Sequence, residues 1–124
     1  MTAQKIKLLV VDDNDFVRDL ISFTFAEDPR FDIQEATTGQ EGWQYFQASR
    51  PHVVLSDVMM PGEIDGLSLC QQIKHSTHPC PVILMSAKGQ PSDIARGMQA
   101  GADSYQVKPI SPLDLLALVK SFCA

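Results

Sequence analysis

At roughly 100–200 residues per domain, a chain of 124 residues and 13.7 kDa holds a single domain. Hydrophobic residues make up 44% and charged residues 20%, an ordinary globular balance that argues against disordered and fibrous classes. Ten Lys and Arg against fifteen Asp and Glu leave a net charge of −5, the wrong sign for direct contact with nucleic acid. Apolar runs such as Ile6 to Val11 fall far short of the roughly 20 residues of a membrane span. The first residues lead straight into that run without a signal-peptide pattern. Cys70, Cys80 and Cys123 form an odd set with no C-x-x-C spacing, which reads as buried or half-buried thiols in a reducing compartment. The expected location is the cytoplasm.

The hydrophobic period alternates five times along the chain. Ile6 to Val11 is nearly continuous in apolar residues, as a strand covered on both faces would be. From Asp15 to Ala26, Val17, Leu20, Ile21, Thr24 and Phe25 recur at helical spacing before Asp28-Pro29. Phe31 to Ala36 alternates, as in a strand near a sheet edge. Gly39 to Ala48 is helical in pattern and is broken by Ser49-Arg50-Pro51. His52 to Ser56 is the third strand, and Leu67, Cys70 and Ile73 mark the third helix after a Pro and Gly loop. Pro81 to Met85 is strand four, with Pro tolerated at its first position. Pro91 to Ala100 is a helix with Pro in its first turn. Ser104 to Val107 is a short strand, and Pro112 to Phe122 a last helix with Leu113, Leu116, Val119 and Phe122 turned inward.

Five strand–helix units in succession imply a parallel sheet with helices on both faces. Ligands of such folds bind outside the carboxyl ends of the strands, near the reversal in strand order. The residues at those ends are Asp12 and Asp13 after strand one, Asp57 after strand three, Ser86 after strand four, and Lys108-Pro109 after strand five. A purely structural reading exists for each alone, because Asp and Ser cap the helices that follow. Five such residues at four strand ends exceed what capping explains.

Three carboxylates and one ammonium leave a surplus of two negative charges in this crevice. Clustered carboxylates repel unless one protonates or a cation intervenes. All-oxygen ligands without His or Cys favour a hard divalent ion, Mg²⁺ above all, over zinc or copper. A carboxylate left free in such a site is a nucleophile toward phosphorus, giving an aspartyl phosphate. Lys108, Ser86 and the cation would hold the phosphoryl oxygens.

Val10-Val11-Asp12-Asp13, Asp57-Val58-Met59-Met60-Pro61-Gly62 with Asp65-Gly66, Met85-Ser86-Ala87 and Val107-Lys108-Pro109 together resemble a two-component response-regulator receiver domain. Each motif alone is weak. The set, in order and spacing from Lys7 to about Phe122, is specific. The resemblance implies a flavodoxin-like (βα)5 fold with strand order 2-1-3-4-5. It implies a switch in which Asp57 accepts a phosphoryl group from a sensor histidine kinase or phosphotransfer protein.

By the same resemblance, Asp12 and Asp13 hold Mg²⁺, with Asp13 the direct ligand and Asp12 acting through water. Met59 contributes its backbone carbonyl, so its side chain does not matter there. Lys108 contacts the phosphoryl group and Pro109 follows a cis peptide bond. Ser86 moves toward the phosphate, beside the small Ala87, and Tyr105 is the switch aromatic that enters the space it leaves. A half-buried strand aromatic is the structural alternative for Tyr105. Met59 and Lys88, two residues beyond Asp57 and Ser86, flank the path of attacking water and are expected to tune the phosphoryl lifetime. A downstream protein, or an output domain fused in a longer parent, would read the changed surface, and a homodimer is one form that contact can take. The receiver fills residues 1–124 by this reading, with no output domain in the chain and no direct nucleic-acid or membrane contact. It catalyses only its own phosphorylation and dephosphorylation.

One departure is visible. Glu63-Ile64 stand between Gly62 and Asp65 where one residue is usual, and this loop is expected to bulge outward without displacing Asp57. His52, His75 and His78 fall away from the strand ends, and Trp43 and Tyr45-Phe46 fit helix packing. Leu113 to Val119 is apolar enough for partner contacts, although a core helix explains most of it. A rival reading is an Mg²⁺-dependent phosphohydrolase with Asp57 as nucleophile. Such enzymes carry a second acid two residues later, where this chain has Met59, and usually a cap domain. A nucleotide-binding module lacks support, since neither G-x-G-x-x-G nor a P-loop pattern occurs.

Overall fold

The structure, a computed structural model, describes residues 5–123. Strands β1 (Ile6–Val11), β2 (Phe31–Ala36), β3 (Val53–Asp57), β4 (Val82–Ser86) and β5 (Ser104–Val107) alternate with helices α1 (Asp15–Phe25), α2 (Gly39–Ser49), α3 (Gly66–Lys74), α4 (Pro91–Gln99) and α5 (Pro112–Cys123). All strand pairs are parallel, in the order β2-β1-β3-β4-β5. The fold is the five-stranded doubly wound sheet that the alternating periods imply.

Period-2 patterning divides β1 between two cores. Leu8 and Val10 face α1 and α5, in a cluster with Ile21, Phe25, Leu55, Ile83, Met85 and Val119. Leu9 and Val11 face the other way, with Phe46, Leu69, Ile73 and Leu84. Each fully buried aliphatic side chain contributes about 1.5–3 kcal/mol, so the central strands anchor both layers. Strand-to-strand crossovers are right-handed, so a reversal of direction across the sheet moves the connecting helix to the opposite face. The chain steps one way from β1 to β2 and the other way thereafter. The reversal falls at β1 and β3, where the ends carrying Asp12 and Asp57 lie side by side.

Local capping fixes the helix starts. Asn14, Thr38 and Asp65 accept the backbone N–H of Val17, Glu41 and Ser68. Arg50 ends α2 in the left-handed region at φ 50°.

The last helix departs from its expected orientation. Leu115 and Val119 are buried and Leu116 and Phe122 are half-buried, whereas Leu113 is 71% exposed. Pro112 starts the helix, and the buried i,i+4 pair sets a core stripe that leaves Leu113 outside. α1 differs in a similar way. Ile21, Thr24 and Phe25 are buried, but Leu20 is 40% exposed, and Phe16 and Phe23 project into solvent.

Candidate functional site

The site lies on the carboxyl edge of the sheet at the strand-order reversal. β1 and β3 deliver Asp12 and Asp57, both buried, and Asp13 stands exposed beside them. One oxygen from each of the three carboxylates lies within 4.8 Å of the others. Lys108, beyond the end of β5, reaches back over the sheet. Its Nζ donates to Asp12 Oδ2 at 3.0 Å and stands 3.5 Å from Asp57 Oδ1. The Lys108–Pro109 peptide bond is cis.

The three acids are not equivalent. Asp12 Oδ1 accepts the backbone N–H of Asn14 at 2.9 Å and Oδ2 is taken by Lys108, so both its oxygens are engaged. Asp57 is less satisfied. Burial pushes its carboxyl above the ordinary carboxylate range and the Asp12 charge adds to that. Lys108 and the Met59 backbone N–H pull the other way, and Asp13 raises it again. A site with three convergent carboxylates and one ammonium fits a hard cation bound through oxygens, with Asp13 and Asp57 holding the freer ones.

Gly66 explains how α3 starts so close to the nucleophile's backbone. A β-carbon there would stand 2.0 Å from the Asp57 carbonyl oxygen, and its N–H donates to Val58 O at 2.9 Å. Pro61, Gly62 and Glu63 are exposed, while Ile64 turns back onto the core and packs against Gly39 at the start of α2. The longer loop thus projects only at its tip, and Asp57 stays within the acidic cluster.

On the other side of the site, the Lys88 backbone is gripped at both ends. Ser86 Oγ accepts its N–H at 3.1 Å, and Tyr105 Oη donates to its carbonyl at 2.7 Å. Ser86 is buried, and Ala87, Lys88 and Gly89 are exposed. The half-buried Tyr105 ring lies in a notch left by Gly97, where a β-carbon would approach its Cδ2 to 2.6 Å. Sequence reasoning placed Ser86 and Tyr105 but missed both the Lys88 link and Gly97. A glycine inside a helix was the available signal. Met59 is 55% exposed and, with Lys88 and Tyr105, lines a groove of about 500 Å³ beside the site.

A second groove, of about 420 Å³, runs between α1 and α5 and ends at Ala87, Lys108 and Pro109. Phe16, Leu20 and Phe23, spaced i, i+4, i+7, form an exposed apolar stripe on α1. The sequence carried that spacing, but it overlaps the Val17–Ile21–Thr24 stripe, and only packing decides which of the two covers the core.

The remaining candidates lie elsewhere. His52, His75 and His78 are exposed, and His52 Nδ1 accepts the Lys7 N–H at 2.9 Å. Trp43 and Phe46 stack on each other. Burial pushes the Cys70 and Cys80 thiols up to about 11 and about 12, which makes them poor nucleophiles. No helix among the described residues is long and apolar enough to cross a membrane.

Comparison with known proteins gives the family. The family model described as "Response regulator receiver domain" matches residues 8–120. Regulatory protein VanRc of Enterococcus gallinarum is 38% identical over 115 residues, covering 93% of this chain and 48% of its own. The receiver domain of the Francisella response regulator 1452 superposes with a TM-score of 0.88 at 30% identity, covering 95% and 96% of the two chains. A BeF3-activated DrrB receiver domain does so at 0.85 and 30%, covering 97% and 98%. The chain spans about half the length of the curated relatives it matches. It belongs to the receiver-domain family of two-component response regulators.

Proposed function

We propose that Asp57 is the phospho-acceptor of this receiver and that its phosphorylation resets the β4–α4–β5 side. The observation that carries the reading is the junction of Asp12, Asp13 and Asp57 with one Lys108 ammonium in contact with two of them. An Asp57 oxygen attacks the phosphorus of a phosphohistidine. The O–P bond forms as the N–P bond breaks, and the departing imidazole takes a proton from solvent. A Mg²⁺ held by Asp13, Asp57 and the Met59 carbonyl, with Asp12 through water, would neutralise charge on the transferring oxygens.

The protein's own groups do the rest. Lys108 turns from Asp12 toward the phosphoryl oxygens, keeping its charge inside a buried site. Ser86 Oγ donates to the phosphoryl group. Its move toward the phosphate releases the Lys88 N–H, and Tyr105 follows through the Lys88 carbonyl. Met59 and Lys88 at the rim set how readily water reaches phosphorus, and hence the lifetime. The receiver's own chemistry is the phosphorylation of Asp57 and the hydrolysis of the aspartyl phosphate.

The partner on the input side is a histidine kinase or phosphotransfer protein. The apolar groove along α1, ending at Lys108, offers it a contact that a small phosphodonor does not need. On the output side the reader is a protein, a second receiver or a fused domain, in a cytoplasmic setting. An external-substrate phosphohydrolase is disfavoured because Met59, two residues after Asp57, stands where such an enzyme needs its second acid. The test is labelling with radioactive acetyl phosphate and MgCl₂. One acid-labile phosphate per chain should accumulate and vanish in Asp57→Asn. Label retained in Asp57→Asn, or sustained turnover of a phosphomonoester, contradicts the reading.

A further inference from the structure

Beneath the acidic turn lies a guanidinium that neither the metal nor the phosphoryl chemistry has used. The Arg18 side chain, on α1, is only 11% exposed. Its Nη1 donates to the backbone carbonyl of Asp12 at 2.6 Å. Its Nη2 pairs with the Asp15 carboxylate, and its Nε stands 3.3 Å from Glu35 Oε1. Those partners come from the end of β1, the first turn of α1 and the end of β2. One planar group therefore ties three elements at the point where the acids emerge.

The turn needs such a tie. Carboxylates with oxygens within 4.8 Å of one another repel, and the exposed Asp13 can relieve that by rotating its peptide away from the site. The Asp12 side chain is held by Asn14 and Lys108, but those bonds do not fix the carbonyl that leads into Asp13. Arg18 does. We propose that Arg18 is a positioning residue for the phosphorylation site, whose fork-shaped contact with the Asp12 carbonyl and the flanking Asp15 and Glu35 keeps Asp13 aimed at the point it shares with Asp57. This rests on the reading of Asp12, Asp13 and Asp57 as the cation-holding site. Charge alone is not the device, because a lysine supplies the same charge without three donors fixed in one plane.

The experiment titrates MgCl₂ alone into the full chain by calorimetry, for wild type, Arg18→Lys and Asp13→Asn, with melting followed separately in EDTA. Arg18→Lys is expected to keep a melting temperature near wild type in EDTA while its Mg²⁺ Kd rises about tenfold or more, the usual scale for groups that orient metal ligands. Its initial rate with acetyl phosphate should return toward wild type at saturating Mg²⁺, as a loss routed through the cation requires. A folded Arg18→Lys that binds Mg²⁺ within twofold of wild type overturns the proposal, since a purely structural arginine changes only melting. Should Arg18→Lys not fold, Glu35→Ala removes one arm of the contact on an edge strand, and an unchanged Kd there overturns it equally. Wild type without any Mg²⁺ binding that Asp13→Asn removes defeats the reading of the site itself, and this proposal with it. Normal wild-type binding that Asp13→Asn removes, with the Arg18 and Glu35 variants unaffected, defeats this proposal alone.

Discussion

The two flanks of the acidic site are built differently. α1 buries Ile21, Thr24 and Phe25 against the central strands, and α5 supports it with Leu115 and Val119. Opposite, α4 buries only Gly97 within its length, and β5 is an edge strand with no fully buried residue. Each buried large side chain adds about 1.5–3 kcal/mol, so α1 is fixed and α4 is held loosely. The fixed flank displays an apolar stripe at all times. The loose flank carries the Ser86–Lys88–Tyr105 linkage, which can change. The proposed function, with the donor met on a rigid surface and the signal leaving through a soft one, would use this asymmetry.

The strongest challenge to that division is at Phe16 and Phe23. Phe16→Ala with Phe23→Ala should slow phosphotransfer from a phosphorylated histidine kinase by about tenfold or more, on the scale of aromatic hot spots. Labelling by acetyl phosphate and the melting temperature should stay near wild type, because both rings are about three-quarters exposed, at 74% and 75%. Equal loss with both donors would show that α1 supports the site instead of receiving the donor.

Gly97→Ala acts on the other flank. The new methyl group gains up to about 1 kcal/mol of helix propensity but meets the Tyr105 ring at 2.6 Å. Asp57 labelling should proceed at the wild-type rate, while the phosphate-dependent change in Tyr105 fluorescence or ring NMR signals is largely lost. An unaltered Tyr105 response would detach the notch from the switch.

A smaller effect concerns Asp57 and pH. Its folded-state carboxyl is raised, chiefly by burial and then by Asp12, so the ionised group costs stability at neutral pH. That cost fades as pH falls through the raised folded value, because the folded state protonates before the unfolded chain does. Without Mg²⁺, Asp57→Asn should therefore melt above wild type at pH 7, and the gap should narrow toward pH 4. A gap that widens on acidification contradicts the sign. Smallest of all, Met59→Asn and Lys88→Ala should each change the dephosphorylation rate by a few-fold, read from decay of labelled protein. Two unchanged rates would remove both residues from the path of water.

Much of the fold was legible in the chain itself, because buried parallel strands leave runs such as Ile6–Val11 and Val82–Ser86, too short for helices and rich in Val and Ile. The polar strand ends likewise pointed to Asp12, Asp13, Asp57, Ser86 and Lys108. Leu113 was misplaced because two apolar stripes compete on α5, and only the tertiary contact of Leu115 and Val119 decides between them. Arg18 and the Lys88 backbone link were invisible for a related reason, and Gly97 showed only as a glycine inside a helix. Their roles arise from contacts to backbone atoms and to a ring far along the chain, which periodicity does not encode.

Backbone hydrogen exchange with and without MgCl₂ and beryllofluoride, on wild type and Asp57→Asn, tests the division most directly. The account predicts that the phosphoryl analogue alters protection in residues 86–107, leaves residues 15–25 unchanged, and alters neither segment in Asp57→Asn. Changes spread evenly over both flanks, or centred on α1, would contradict it.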